Sequence, residues 1–128
     1  MELFREHQLH IPLSNIHHYL SFADLLISDS QSMSVEASVL GTPNIRISDF
    51  AGRISVLEEL EHKYQLTIGI KPVNQDQVIP KIKEILEMPA RKEVFRERRA
   101  RMLTEKIDVT AFLTALIDKY PDRKVRDK

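Results

Sequence analysis

Cysteine is absent from this 128-residue chain, which excludes a disulfide framework, a thiolate metal site and a cysteine nucleophile. Tryptophan is missing too. Glycine occurs only three times, and none of the three forms part of a Gly-x-Gly-x-x-Gly or Gly-Lys-Ser phosphate loop. No Ser/His/Asp order with a nucleophile elbow is present. No apolar run approaches the roughly 18 residues that a membrane helix needs. The start, Met1-Glu2-Leu3-Phe4-Arg5-Glu6, has neither the basic nor the apolar region of a secretion signal. The expectation is a cytoplasmic protein without a membrane span. Net charge is also lacking, but unevenly so: residues 1–90 carry 7 Lys/Arg against 12 Asp/Glu, and residues 91–128 carry 12 against 7. Such opposed parts can attract each other, or the basic part can meet an acidic partner.

What is present reads as a globular α/β domain. Hydrophobic residues make up 42% and charged residues 30% of the chain, ordinary for a domain that buries a core. The periodicity predicts a helix over 15–22, a strand over 24–28, a helix over 32–40 and a strand over 44–48. A helix over 53–64 and a strand over 66–70 follow. Helices near 75–87, 91–104 and 108–120 complete the pattern, with Pro89 separating the first two and Pro121 ending the last. In the second helix Met33, Ala37 and Leu40 are expected to face inward, and Gly41 to stop it in a left-handed conformation. Strands alternating with helices argue for a parallel sheet with helices on both faces and a C-terminal helical extension. The domain is read over residues 1–121, with a charged tail over 122–128.

Leu25, Leu26 and Ile27 in a row read as a strand buried on both faces. Nothing before it resembles a partner strand, so one edge of the sheet is expected to be open. An open apolar edge calls for cover. A second copy of the chain in a homodimer would provide it, as would the Leu3–Leu13 segment folded back.

The most informative stretch is Ser28-Asp29-Ser30-Gln31-Ser32-Met33-Ser34-Val35-Glu36-Ala37, followed by Leu40-Gly41-Thr42-Pro43. It turns from a strand into a helix through small hydroxyl residues. The unpaired amides of such a helix start, at the positive end of its dipole, form a phosphate site. Glu36 lies further into the helix, where a carboxylate can meet the hydroxyls of a sugar attached to that phosphate.

These residues resemble the second Rossmann-like domain of GT-B-fold proteins, the architecture of many nucleotide-sugar glycosyltransferases. Closest in motif is the non-hydrolysing UDP-N-acetylglucosamine 2-epimerase group, and closer over length is a related family of undefined activity. The resemblance rests on Ala23-Asp24-Leu25-Leu26-Ile27, Asp29-Ser30, Glu36-Ala37 and Leu40-Gly41-Thr42-Pro43. It continues through Asp49-Phe50-Ala51-Gly52-Arg53-Ile54 and Leu57-Glu58-Glu59-Leu60-Glu61, and the segment Lys106–Phe112 supports it. It spans residues 15–121 and implies a partial domain, the remainder of the fold being the other Rossmann domain. It also implies UDP-sugar binding: Ser30 and the amides of Gln31 and Ser32 on the diphosphate, Glu36 on the ribose, Arg53 near the nucleotide. Gln31 and Ser32 stand where the epimerases have two glycines, and their side chains narrow the approach of backbone to phosphate. The resemblance implies no catalytic residue, metal or cofactor in this segment, and no turnover by the chain alone.

Each candidate has a plainer role as well. Ser30 and Ser32 suit a helix cap, Glu36 a solvated helix face, and Arg53 an ion pair with Asp49 or Glu58. His7, His10, His17 and His18 lack companions at metal-ligand spacing and read as surface residues. The basic helix from Arg91 to Arg101 is interleaved with Glu93 and Glu97 and reads as a solvated face, with no nucleic acid expected as partner. Two functions from different classes remain. One is a nucleotide-sugar-binding segment of a glycosyltransferase-like or epimerase-like protein. The other is a non-catalytic oligomerisation module, or a degenerate fragment that keeps the fold without the site.

Overall fold

Three short runs, Leu26–Ser28 (β1), Asn44–Ile47 (β2) and Thr67–Ile70 (β3), pair in parallel in the order β1-β2-β3. The computed structural model describes residues 2–120; Pro121 and the charged tail over 122–128 lie outside the described residues. Among the described residues six α-helices connect and extend the sheet: Ile16–Phe22 (α1), Gln31–Leu40 (α2), Ser55–His62 (α3), Val78–Leu86 (α4), Arg91–Glu105 (α5) and Val109–Asp118 (α6). The fold is therefore α/β, a three-stranded parallel sheet with helices on both faces and a C-terminal helical extension, consistent with a Rossmann-like half-domain.

The strand register sorts side chains onto two unlike faces. Leu26, Asn44 and Thr67 align across the sheet, as do Ser28, Arg46 and Gly69. Successive residues of a strand point to opposite faces, so these six share one face. Ile27, Ile45 and Ile68 share the other, together with Ile47 and Ile70. On the isoleucine face Ile45 and Ile70 join Ile85 of α4 in a buried cluster, flanked by Val78 and Ile82. On the polar face lie α2 and α3. Beyond them α5 completes a second cluster, Leu57, Leu60, Tyr64, Leu66, Phe95 and Met102. At its rim the buried Tyr64 hydroxyl donates to Glu105 at 2.9 Å, and Lys63 pairs with the same carboxylate at 2.6 Å. Lys63 and then Tyr64 hold the Glu105 carboxyl down at about 2, and Glu105 and then Tyr64 raise the Lys63 ammonium above its ordinary value.

Three expectations need correction. β1 is not buried on both faces: Leu25 and Leu26 are half-buried, and Ile27 is 46% exposed. The cause is that α4 covers β2 and β3 on that face, while β1 forms the edge. The inward face of α2 is not Met33, Ala37 and Leu40 but Ser34, Ala37 and Ser38, with Met33 and Leu40 only half-buried. Small side chains let the helix approach the sheet closely, and their hydroxyls find partners there. Over residues 4–13 the N-terminal segment does not cover the open edge, since Phe4, Leu9 and Leu13 stay exposed.

Two chain stops follow the expected chemistry. Gly41 ends α2 at φ +80°, and a Cβ at that position would meet Arg99 Cδ at 3.0 Å. Asp108 starts α6 by accepting the Ala111 amide at 2.9 Å. That helix buries none of its residues; Phe112, Leu113, Leu116 and Ile117 are all exposed.

Candidate functional site

The candidate phosphate site is built outward from β2. Asn44 is buried on the polar face, where its Nδ2 donates to Ser38 Oγ at 3.0 Å and to the Leu66 carbonyl at 3.1 Å. Its Oδ1 accepts the Thr67 hydroxyl. Ser38 donates in turn to the Ser34 carbonyl at 2.8 Å, and the Ser34 hydroxyl to the Ser30 carbonyl at 3.0 Å. A chain of hydrogen bonds thus runs from β3 through β2 and along α2 to its first turn. Buried polar groups satisfied in this way hold an element in one position, because any slip leaves them unpaired.

Ser30 is the N-cap, and its Oγ accepts the Met33 amide at 3.3 Å. Its own amide donates to Ser28 Oγ at 2.9 Å. Ser34 N bonds back to the Ser30 carbonyl at 3.3 Å. Among the described residues the amides of Gln31 and Ser32 have no protein partner. They sit at the positive end of a ten-residue helix, beyond the C-terminal end of β1. The Gln31 side chain is drawn sideways: its Nε2 donates to Ser48 Oγ at 2.7 Å, and its buried Oε1 has no partner. Ser32 is exposed.

The structure does not draw the other two candidates into the same hydrogen-bonded group. Glu36 meets His17 of α1, Oε2 to Nε2 at 3.1 Å, with both side chains substantially exposed. An exposed pair of this kind is worth little, so a better partner can displace His17. Arg53 is exposed in the turn before α3 and pairs with neither Asp49 nor Glu58. Glu58 instead accepts the Gly52 amide at 2.9 Å and faces His62 at 2.9 Å.

Arg46, within the strand expected over 44–48, is fully buried on the polar face. None of its three guanidinium nitrogens has a protein hydrogen-bond partner. Burial lowers its pKa, and the nearby charges of Glu61 and Glu58 oppose that shift. Gly69 makes the arrangement possible, since a Cβ there would lie 2.6 Å from Arg46 Nη2 and 3.1 Å from Glu61 Oε2. Glu58, Glu61 and His62 bring ligand atoms within 4.8 Å of one another. The adjoining guanidinium already supplies positive charge there, and Glu61 accepts the Gly69 amide at 3.1 Å, so the trio is explained without a metal. The sequence signal for Arg46 was its place between two isoleucines. Only the polar groups of α2 and α3 above it turn that place into an interior one.

No family model, curated protein or solved structure shows a significant match to this chain. No helix among the described residues is long and apolar enough to cross a membrane.

Proposed function

We propose that the chain is a nucleotide-sugar-binding segment of a GT-B glycosyltransferase-like or epimerase-like protein, with a UDP-sugar as ligand. The observation that carries this reading is the pair of open amides at Gln31 and Ser32, held beyond the end of β1 by the hydrogen-bond chain from Asn44. In this reading those amides and the Ser32 hydroxyl receive the diphosphate. Glu36 exchanges His17 for the ribose hydroxyls, and the unpaired Arg53 neutralises phosphate charge. The Ser30 hydroxyl accepts the Met33 amide and keeps its own O–H to donate to the diphosphate. The ligand shares its space with the Gln31–Ser48 bridge, and weak enclosure gives weak binding. The chain supplies binding rather than turnover, because one half-site cannot hold two reactants in attack geometry. Calorimetric titration with UDP should give measurable heat, and Glu36→Ala should weaken binding by about 1–2 kcal/mol. No heat with the wild-type chain would remove the reading.

A second reading, the oligomerisation module, is favoured by α6 and by the exposed Ile27 on β1. A helix apolar around most of its circumference is normally buried against another element, and a second copy offers one. Sedimentation equilibrium should then show a dimer at micromolar concentration; a clean monomer would dismiss it.

A further inference from the structure

A recess of about 270 Å³ opens at the opposite end of the sheet from the α2 N-terminus. It is bounded by the end of α1, the starts of β1 and β2, the end of α2 and the first turns of α5. Four cations line it, Arg91, Lys92, Arg96 and Arg99, against one carboxylate, Asp24. We propose that this recess is a second ligand site, one that takes a small phosphate monoester between the first two turns of α5 and the Gly41 turn.

The division of labour among the basic residues of α5 carries the argument. Arg91 donates to the Leu86 carbonyl at 2.9 Å and to Asp24 at 2.7 Å. Arg98 donates to the Gln65 carbonyl at 2.9 Å, and Arg99 to the Val39 carbonyl. Arg101 pairs with Glu105 at 3.2 Å. Arg91, Arg98 and Arg99 thus tie α5 to the ends of other elements, a use of basic side chains that helix C-termini favour, and Arg101 is satisfied within α5. Lys92 and Arg96 are left over. Among the described residues neither makes a hydrogen bond or an ion pair, and both line the recess. Lys92, Arg96 and Arg99 follow one another at spacings of four and three, so they share one face of the helix.

The electrostatics agree in sign. Asp24 offsets one of the four positive charges and leaves a surplus suited to a dianion. The start of α5 carries no side-chain cap, so its positive dipole end adds to that field. The end of α2 has the opposite polarity, but Arg99 lies on the Val39 carbonyl and against Gly41. A planar guanidinium beside a free ammonium is the donor set that grips a phosphate group. Volume limits the ligand. The recess falls below the roughly 300–1,000 Å³ of drug-sized pockets, which suits a sugar phosphate and excludes a dinucleotide. Ala23, Leu40 and Pro43 provide an apolar wall for its carbon body. α2 is about 15 Å long at 1.5 Å per residue, so this site is separate from the proposed diphosphate site at its other end.

The test is a ¹H–¹⁵N titration of the whole chain with inorganic phosphate and, separately, with ribose 5-phosphate. The expected result is a shift of the Gly41, Lys92 and Arg96 amides with both probes, tighter for the ester. The Lys92→Ala/Arg96→Ala double variant should weaken binding about tenfold or more. Both positions are exposed on a helix, and alanine preserves helix propensity, so the remaining amides should keep their places. Any response of the Gln31 and Ser32 amides should survive the double variant unchanged, which separates this proposal from the UDP reading. No response at Gly41, Lys92 and Arg96 would overturn it. So would binding of a polynucleotide with a steep salt dependence while both small probes stay inert.

Discussion

Both faces of the sheet carry helices, α4 on one and α2 and α3 on the other, but opposite chemistries hold them. On one side Ile45 and Ile70 meet Ile85, contacts without direction that tolerate small shifts. On the other side Asn44, Thr67, Ser34 and Ser38 are buried and bonded to one another, contacts that fix a position. The isoleucine contacts therefore add stability without register, and the polar contacts of the other face add register. Register is what the candidate site needs, because α2, whose first amides are open, rides on the polar face.

Ile45→Ala should cost about 2–5 kcal/mol of unfolding free energy, the scale of a fully buried deletion, while leaving the α2 amide signals near their places. Urea unfolding and an amide spectrum read both quantities; a loss below roughly 1 kcal/mol would mean that the isoleucine contacts contribute little to stability. Asn44→Ala should cost less, about 1–3 kcal/mol, because it strands the Thr67 hydroxyl and the Leu66 carbonyl. It should nevertheless move the Gln31 and Ser32 amides, which Ile45→Ala does not. Equal displacement in both variants would dissolve the distinction between the faces.

Arg46→Met should have the smallest effect. The buried guanidinium has no protein hydrogen bond, and an apolar side chain of similar length removes a desolvated charge. Thermal unfolding should show stability unchanged or up to roughly 2 kcal/mol higher. A clear loss would show that the charges of Glu61 and Glu58 hold Arg46 more firmly than its bonding suggests.

Much of this arrangement is legible in the sequence. Periodicity placed each strand and helix within a few residues, because the apolar positions of α3 and α4 and the stops at Gly41 and Pro89 are local signals. Ser30 as a cap is local too. The polar face is not. Ser34 and Ser38 look like solvent-facing residues until Asn44 lies beneath them, and Asn44 and Arg46 look like the wet side of an alternating strand until α2 and α3 cover it. Ile27 reads as interior by hydropathy, yet its exposure depends on where α4 stops. The Glu36–His17 and Gln31–Ser48 contacts join residues 19 and 17 positions apart, and no helix or strand period connects them. The split of α5 into tethering arginines and two free cations is likewise set by neighbours remote in sequence.

The most direct measurement of the proposed function is a ¹H–¹⁵N titration of the chain with UDP, followed at individual amides in the wild type and in Asn44→Ala. Gln31 and Ser32 should shift together and saturably, and Asn44→Ala should weaken the response by releasing the first turn of α2. Gln31 and Ser32 amides that stay unmoved in the wild type, whatever else shifts, would contradict the proposed function.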